Sequence, residues 1–257
     1  VQRFVDDVTR HLKLLEPHKF HRKLIVDEGV HVDGRKLREF RKTLLRRGVI
    51  SSADGSALVR HGGTSIMCGV KAELAEPSLM EPKRGRVSIS FGSSINLSDY
   101  ETAQLEEATE ILLNLADRCV LDSRQLCVEP GKVCWVLYCD LLLMDCSGAV
   151  LDIALTALMS ALGNTSLPQV RPRDEELHSR LVSSTFLLCE NNLIVCDPTQ
   201  EESELVDGSL LSIVVGDGGQ LCGLYKFGGA FTATESVLSE CIGIACKRQQ
   251  KLVIADS

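Results

Sequence analysis

Four aspartates are the residues whose type suits chemistry best. Asp140 and Asp145 bracket the apolar run Leu141–Met144, Asp152 follows on the next turn, and Asp207 stands further along. Carboxylates supply general acids, general bases or oxygen ligands for a divalent cation. At the ends of an apolar strand they also serve as cap or turn acceptors, and the surroundings of Asp140 and Asp145 favour that second role. His11, His18 and His21 could ligate zinc. Pro17 interrupts the helix that would align them, so no metal site is expected. Gly216-Asp217-Gly218-Gly219 is flanked by β-like runs and reads as a hairpin turn rather than a phosphate loop. No Ser-His-Asp arrangement, Walker loop or G-x-G-x-x-G is present. The 11 cysteines are odd in number, contain no C-x-x-C, and lie mostly in apolar runs, as Cys134, Cys139, Cys189 and Cys196 do. They read as small buried hydrophobes in a reducing compartment.

The elements that would position these residues follow from periodicity. Val1, Phe4, Val5, Val8, Leu12 and Leu15 fall at helical spacing, which predicts an opening amphipathic helix ending near Pro17. From Val49 to Ala72 short β-like runs flank His61-Gly62-Gly63, where two glycines would supply the positive φ of a tight turn. Leu74 to Arg86, with Pro77, Pro82 and Lys83-Arg84-Gly85-Arg86, has loop composition. A helix is predicted over Thr102–Cys119, and a strand buried on both faces over Trp135–Met144. A buried helix follows over Leu151–Leu162, closed by Gly163 and Asn164, and Pro168, Arg171, Pro172 and Arg173 make a linker. Leu181–Cys189 and Leu193–Cys196 form one hairpin about Asn191-Asn192, and Leu210–Val215 and Leu221–Tyr225 another. A last helix spans about Thr234–Gln250.

With 257 residues, 44% hydrophobic and 25% charged, the chain buries a sizeable core and fits one large domain or two small ones. No stretch approaches the roughly 18 apolar residues of a membrane span, and Asp6, Asp7 and Glu16 stand where a signal peptide would be apolar. Residues 1–60 hold 14 Lys plus Arg against 8 Asp plus Glu, a surplus of +6, so the remainder of the net −7 chain carries −13. Seven of those basic residues lie between Arg35 and Arg47, which suits a local nucleic-acid contact or a solvated strand edge. The acidic body argues against gripping long nucleic acid by bulk electrostatics.

A series of phrases in fixed order carries a family resemblance. They are Asp33-Gly34-Arg35 with Phe40-Arg41, Ala53-Asp54-Gly55-Ser56-Ala57-Leu58-Val59, Gly62-Gly63-Thr64, Val70-Lys71-Ala72-Glu73, Pro130-Gly131-Lys132 and Trp135-Val136-Leu137-Tyr138-Cys139-Asp140. Together, from about Asp33 to about Lys247, they resemble the RNase PH family, and within it the ring subunits of the eukaryotic RNA exosome. The resemblance implies an α+β, RNase PH-like fold (ribosomal protein S5 domain 2-like), with duplicated β-α halves and helices packed on mixed sheets. It divides the chain into an N-terminal helical extension (1–32), a first domain (33–168) and a second domain (178–250).

Active members of that family degrade RNA from its 3′ end by phosphorolysis. They hold phosphate in an Asp-Gly-Gly-Thr-Arg turn after the central strand, with an Arg opening the preceding helix and two aspartates in a later hairpin. Here the turn reads Asp145-Cys146-Ser147-Gly148-Ala149-Val150-Leu151-Asp152, the helix-opening Arg corresponds roughly to Tyr100, and the carboxylate pair falls at Ser203 and Ser209. Val195-Cys196-Asp197-Pro198-Thr199-Gln200-Glu201-Glu202 leads into that pair. Without a guanidinium the turn cannot balance a dianion, and serine does not replace a carboxylate. The resemblance therefore implies a non-catalytic ring subunit with no catalytic residue, cofactor or metal of its own. Its partners would be other RNase PH-like ring subunits, S1/KH-type caps, a hydrolytic exoribonuclease and RNA in the channel, in nucleus, nucleolus and cytoplasm, with no membrane. The loop over 74–86 resembles the family's channel-facing loop, which makes Lys83, Arg84 and Arg86 the candidate RNA contacts. The rivals are a phosphorolytic exoribonuclease of the same fold and a partner completing a composite active site.

Overall fold

The computed structural model describes residues 13–120, 123–167, 180–229 and 231–256. The apolar stripe over Val1–Leu12 and the linker over 168–173 lie outside them. The helix described from Lys13 ends at Leu15, next to Pro17 as expected, and after the break at Glu16 Pro17 itself opens a second helix. In α1 (Pro17–Arg22) proline takes the first helical position, where its missing N–H is not needed, and the chain continues in wider turns through Lys23–Glu28.

The first sheet has the order β1-β2-β3-β6-β4, with β5 pairing β6. Its strands are β1 (Thr43–Arg47), β2 (Gly55–His61), β3 (Thr64–Ala75), β4 (Arg86–Ser93), β5 (Cys127–Glu129) and β6 (Val133–Asp145). All pairings are antiparallel except β4 with β6. The turn between β2 and β3 sits at Gly62-Gly63 as expected, but only Gly62 takes a left-handed φ, +58°. Gly63 serves close approach instead, since a Cβ there would lie 2.9 Å from Cβ of Ser147.

The second sheet, β10-β9-β7-β8, is antiparallel throughout and comprises β7 (Val182–Cys189), β8 (Leu193–Cys196), β9 (Ser209–Val215) and β10 (Leu221–Phe227). Asn191 and Asn192, with φ of 58° and 59°, make the left-handed turn between β7 and β8.

The helices explain the burial. α2 (Asp99–Leu115) packs on β4, and α3 (Val150–Gly163) packs on β2 and β3 of one sheet and on β7 of the other. Covered from both sides, α3 buries 12 residues, which is why it reads as apolar all round. α4 (Gln200–Leu205) is short, and α5 (Glu235–Asp256) packs on β7 and β9. β7, lying between α3 and α5, is buried at every position.

Two expectations need correcting. The helix predicted from Thr102 starts at Asp99, because Ser98 and Glu101 form a capping box in which each side chain accepts from the other's backbone N–H. β6 is not buried on both faces: Tyr138, Asp140 and Met144 are exposed in alternation with buried Leu137, Cys139, Leu141 and Leu143. Helix α3 covers only one face of this part of the sheet, so the long apolar run belongs to a half-covered strand.

Candidate functional site

The turn after β6 is held from the hairpin opposite. The Thr64 hydroxyl donates to the Gly148 carbonyl at 2.8 Å and accepts from the Ser147 N–H at 2.8 Å. Gly148, at φ +87°, approaches the start of α4 so closely that a Cβ would lie 2.8 Å from the Gln200 nitrogen. Ala149 then takes a left-handed φ of 56° and gives α3 no side-chain cap.

This turn forms one wall of a cavity of about 320 Å³. Its lining includes Tyr100, Gln104 and Glu107 of α2; Ala149, Val150 and Leu151; Thr185 and Ser212 of the second sheet; Ser203 of α4; and Phe227, Gly228 and Gly229. The fold thus brings together Tyr100, the turn and Ser203, while Gly208 and Leu210 place Ser209 at the edge. Ser203 Oγ donates to the Thr199 carbonyl at 3.0 Å and Ser209 Oγ to the Phe231 carbonyl at 3.2 Å, so both hydroxyls serve local backbone acceptors.

No Lys or Arg occurs among the described lining residues, and Glu107 is their one carboxylate. Burial, then the neighbouring Glu110, pushes the Glu107 carboxyl up, and burial followed by Glu204 raises the Tyr100 phenol. Such a lining favours a neutral or hydrogen-bond-donating group over an anion. The left-over acceptor is Gln104 Oε1, buried without a partner while its Nε2 donates to the Tyr100 hydroxyl.

The four aspartates do not converge. Asp140 is exposed within β6 rather than capping its end, and Asp145 is exposed at the strand's last position. Asp207 is exposed in the turn before β9. Asp152 is buried and fully engaged, accepting from Ser183 Oγ (2.7 Å), Thr185 N (2.9 Å), Thr185 Oγ1 (2.8 Å) and Arg248 Nη1 (2.8 Å). His18 Nδ1 sits 3.0 Å from the Leu205 carbonyl, and His21 bridges the Pro17 carbonyl and Glu201. His11 lies outside the described residues.

Of the seven basic residues between Arg35 and Arg47, Lys36, Lys42, Arg46 and Arg47 are exposed with Arg38, and Arg35, Arg38 and Arg41 are engaged in ion pairs. Arg41 turns inward to Asp197, Arg35 bonds Asp33 and Asp197, and Arg38 pairs with Glu240. The Arg41–Asp197 pair, with His61 Nε2 3.0 Å from the same carboxylate, joins the N-terminal segment, the β2–β3 turn and the second half of the chain. Both members stand in phrases legible as motif, but a pair so far apart in sequence gives no local signal.

Lys83, Arg84 and Arg86 lie elsewhere. Arg84 Nη1 pairs with Glu81 at 3.0 Å, and Arg86 opens β4 with its side chain exposed. Lys83, Arg84 and Arg124 line an open groove with Glu81, Pro82, Cys127, Val128 and Pro130, and this groove shares no lining residue with the cavity.

The pattern of the 3′ exoribonuclease family (RNase PH), domain 1, matches residues 39–168, and that of its domain 2 matches residues 180–248. Exosome complex component Rrp42 of Methanopyrus kandleri is 31% identical, over 94% of this chain and 96% of that protein. Exosome complex component rrp43 of Schizosaccharomyces pombe is 29% identical, over 86% of this chain and 88% of that protein. A chain of the Archaeoglobus fulgidus exosome with RNA bound to the active site superposes with a TM-score of 0.78 at 25% identity, covering 99% of this chain and 100% of that one. With both domain patterns matched in order on two sheets that share the buried helix α3, this chain belongs to the RNase PH 3′ exoribonuclease family.

Proposed function

We propose that the chain is a non-catalytic structural subunit of an exosome core ring, of the kind that ribosomal RNA-processing protein 43 represents. It supports 3′–5′ RNA processing and degradation by building the channel and docking partners. The cavity carries this reading: where the family's phosphate cradle belongs, its described lining holds no cation and one carboxylate, Glu107. The first backbone N–H groups of α3 offer only a partial positive charge, which does not offset the missing guanidinium forks. Near full-length likeness to exosome components supports the ring assignment. On this reading the chain pairs with other RNase PH-like subunits in a six-membered ring, meets S1/KH-type caps and passes RNA to a separate hydrolytic exoribonuclease, in nucleus, nucleolus and cytoplasm.

The isolated chain is expected to release no nucleoside diphosphate from single-stranded RNA in phosphate buffer. Time-resolved product analysis is the measurement, and phosphate-dependent release by the folded chain alone would sink the reading. Release by a reconstituted pair of ring subunits, abolished by changing residues of this chain only, would move it to the composite-site role.

Lys83, Arg84 and Arg86 supply the RNA contact in this proposal, on a loop braced by a hydrogen bond from Gly131 N–H to the Pro82 carbonyl at 2.7 Å. Reversing all three charges in the assembled ring should reduce the salt dependence of RNA binding by about one unit of log–log slope for each RNA phosphate left without its cation. An unchanged slope and an unchanged protected length in the triple variant would leave the loop without that role.

A further inference from the structure

Cys127 and Cys134 are Cα partners across the antiparallel β5–β6 hairpin, next to a bulge between Cys127 and Glu129; the first is half-buried, the second buried, and both are free thiols. Residues directly opposed on antiparallel strands have Cα atoms about 4.5 Å or about 5.5 Å apart, depending on the hydrogen-bonding position. Both spacings fall inside the roughly 4.4–6.8 Å that a disulfide accepts. Among the other strand cysteines, Cys68 faces Leu141, Cys139 faces Val70, Cys189 faces Leu193 and Cys196 faces Phe186, while Cys222 falls at the irregularity of the β9–β10 pairing, beside Cys119.

The approach to this pair is basic. Cys127 lines the open groove together with Lys83, Arg84 and Arg124, with Glu81 the one acid among the described lining. Burial raises the Cys134 thiol, and Arg86 works against that rise. We propose that Cys127 and Cys134 are a reversible disulfide site whose co-substrate is an anionic low-molecular-weight disulfide of the glutathione class.

The chemistry balances as two thiol–disulfide exchanges. The Cys127 thiolate attacks one sulfur of the small disulfide, breaking its S–S bond and expelling one thiolate. The Cys134 thiolate then attacks Cys127 Sγ and expels the second. The two protein thiols are oxidised to one disulfide, the small disulfide is reduced to two thiols, and the two protons lost by the protein end on the leaving sulfurs. In a reducing compartment such a bond is transient, which suits a sensor rather than a staple.

The hairpin also seats the basic loop. Gly85 N–H donates to the Ser123 carbonyl at 2.8 Å, and a Cβ at Gly85 would lie 2.4 Å from both Leu126 Cβ and the Trp135 carbonyl oxygen. Those two residues adjoin Cys127 and Cys134, so cross-linking the strands fixes the surface on which the loop rests. This inference stands whether or not the chain proves to be a ring subunit.

The test is to equilibrate the folded full chain with glutathione disulfide, quench with an alkylating agent, and map peptides after trypsin and chymotrypsin. Lys132 and Trp135 provide cleavage points that separate and release the two cysteines. The expected result is a Cys127–Cys134 linkage reversed by dithiothreitol, with Cys134→Ala holding glutathione on Cys127 as a stable adduct. Thermal melts establish that the variant folds, and Cys127→Ser supplies a second variant that should form neither adduct nor link. A wild-type chain that keeps glutathione on Cys127 unresolved, that reacts at neither residue, or that links other cysteines in preference, such as Cys119 with Cys222, overturns the proposal. Tryptic cleavage after Lys83 and Arg84 should slow at least twofold in the oxidised chain, and equal rates would overturn the loop coupling.

Discussion

Replacing Asp197 with alanine is expected to lower the free energy of unfolding by about 3–5 kcal/mol, because it strands buried cations rather than merely deleting an attraction. The carboxylate is fully buried and accepts from the Arg41 backbone N–H (2.8 Å), Arg41 Nε (2.9 Å) and Arg41 Nη2 (2.6 Å), with His61 Nε2 at 3.0 Å and Arg35 Nη1 at 3.4 Å. Arg41 also donates to the Ser147 carbonyl at 2.9 Å, so the loss would loosen the turn beside the cavity as well. Urea unfolding of wild type and variant measures the difference. A loss below about 1 kcal/mol, the range of an exposed ion pair, would show that the cluster is solvated and loose.

The same cluster predicts acid sensitivity. Burial alone would push the Asp197 carboxyl up, but the Arg41 and His61 hydrogen bonds and charges outweigh it and hold it far below the ordinary carboxylate range. Glu202 behaves alike, with burial overcome by His31 and by the N–H groups of Thr199 and Val32. A depressed folded-state pKa contributes stability that is complete above the unfolded value, about 3.9 for Asp and about 4.3 for Glu. That stability is lost as pH falls below those values towards the folded-state ones. The melting temperature of wild type should therefore drop more steeply between about pH 5 and pH 3 than that of Asp197→Asn, which has no carboxyl left to protonate.

Hairpins and amphipathic helices were legible because their signals are local. Asn191-Asn192 and Gly62 mark turns by their tolerance of positive φ, and α2 and α5 declare a covered stripe. The motif phrases make the family legible as well; the resemblance assigns Tyr100, the turn through Leu151 and Ser203 to one site, and all three line one cavity. Three features were not legible. The face of β6 that carries Tyr138 and Met144 looked buried, since an apolar run does not say whether one or two layers cover it. Strand β1 was hidden inside the basic run, because an edge strand with polar positions has no strong alternation. The inward turn of Arg41 depends on Asp197, which reaches it only once both halves have folded.

Asp152 is a second buried carboxylate paired with an arginine, and its removal should be equally costly. It sits in the first turn of α3, where the helix dipole favours a negative charge, and it ties the helix to β7 and α5 at once. Asp152→Ala would leave Ser183 Oγ, Thr185 Oγ1 and the Arg248 guanidinium without their shared acceptor in a buried position, a loss of about 3–5 kcal/mol. Thr185 would retain its hydroxyl contact with Ser212 at 2.7 Å, and Arg248 its place 4.3 Å over the Phe40 ring, so the helix need not detach. If the cost comes from an unpaired buried cation, removing the cation must recover part of it. The double variant Asp152→Ala with Arg248→Met should therefore be less destabilised than the sum of the two single variants, by about 0.5–3 kcal/mol. Strict additivity across this cycle, measured by urea unfolding, would mean that Asp152 and Arg248 do not act as a pair and that the carboxylate's worth lies in its bonds to β7 alone.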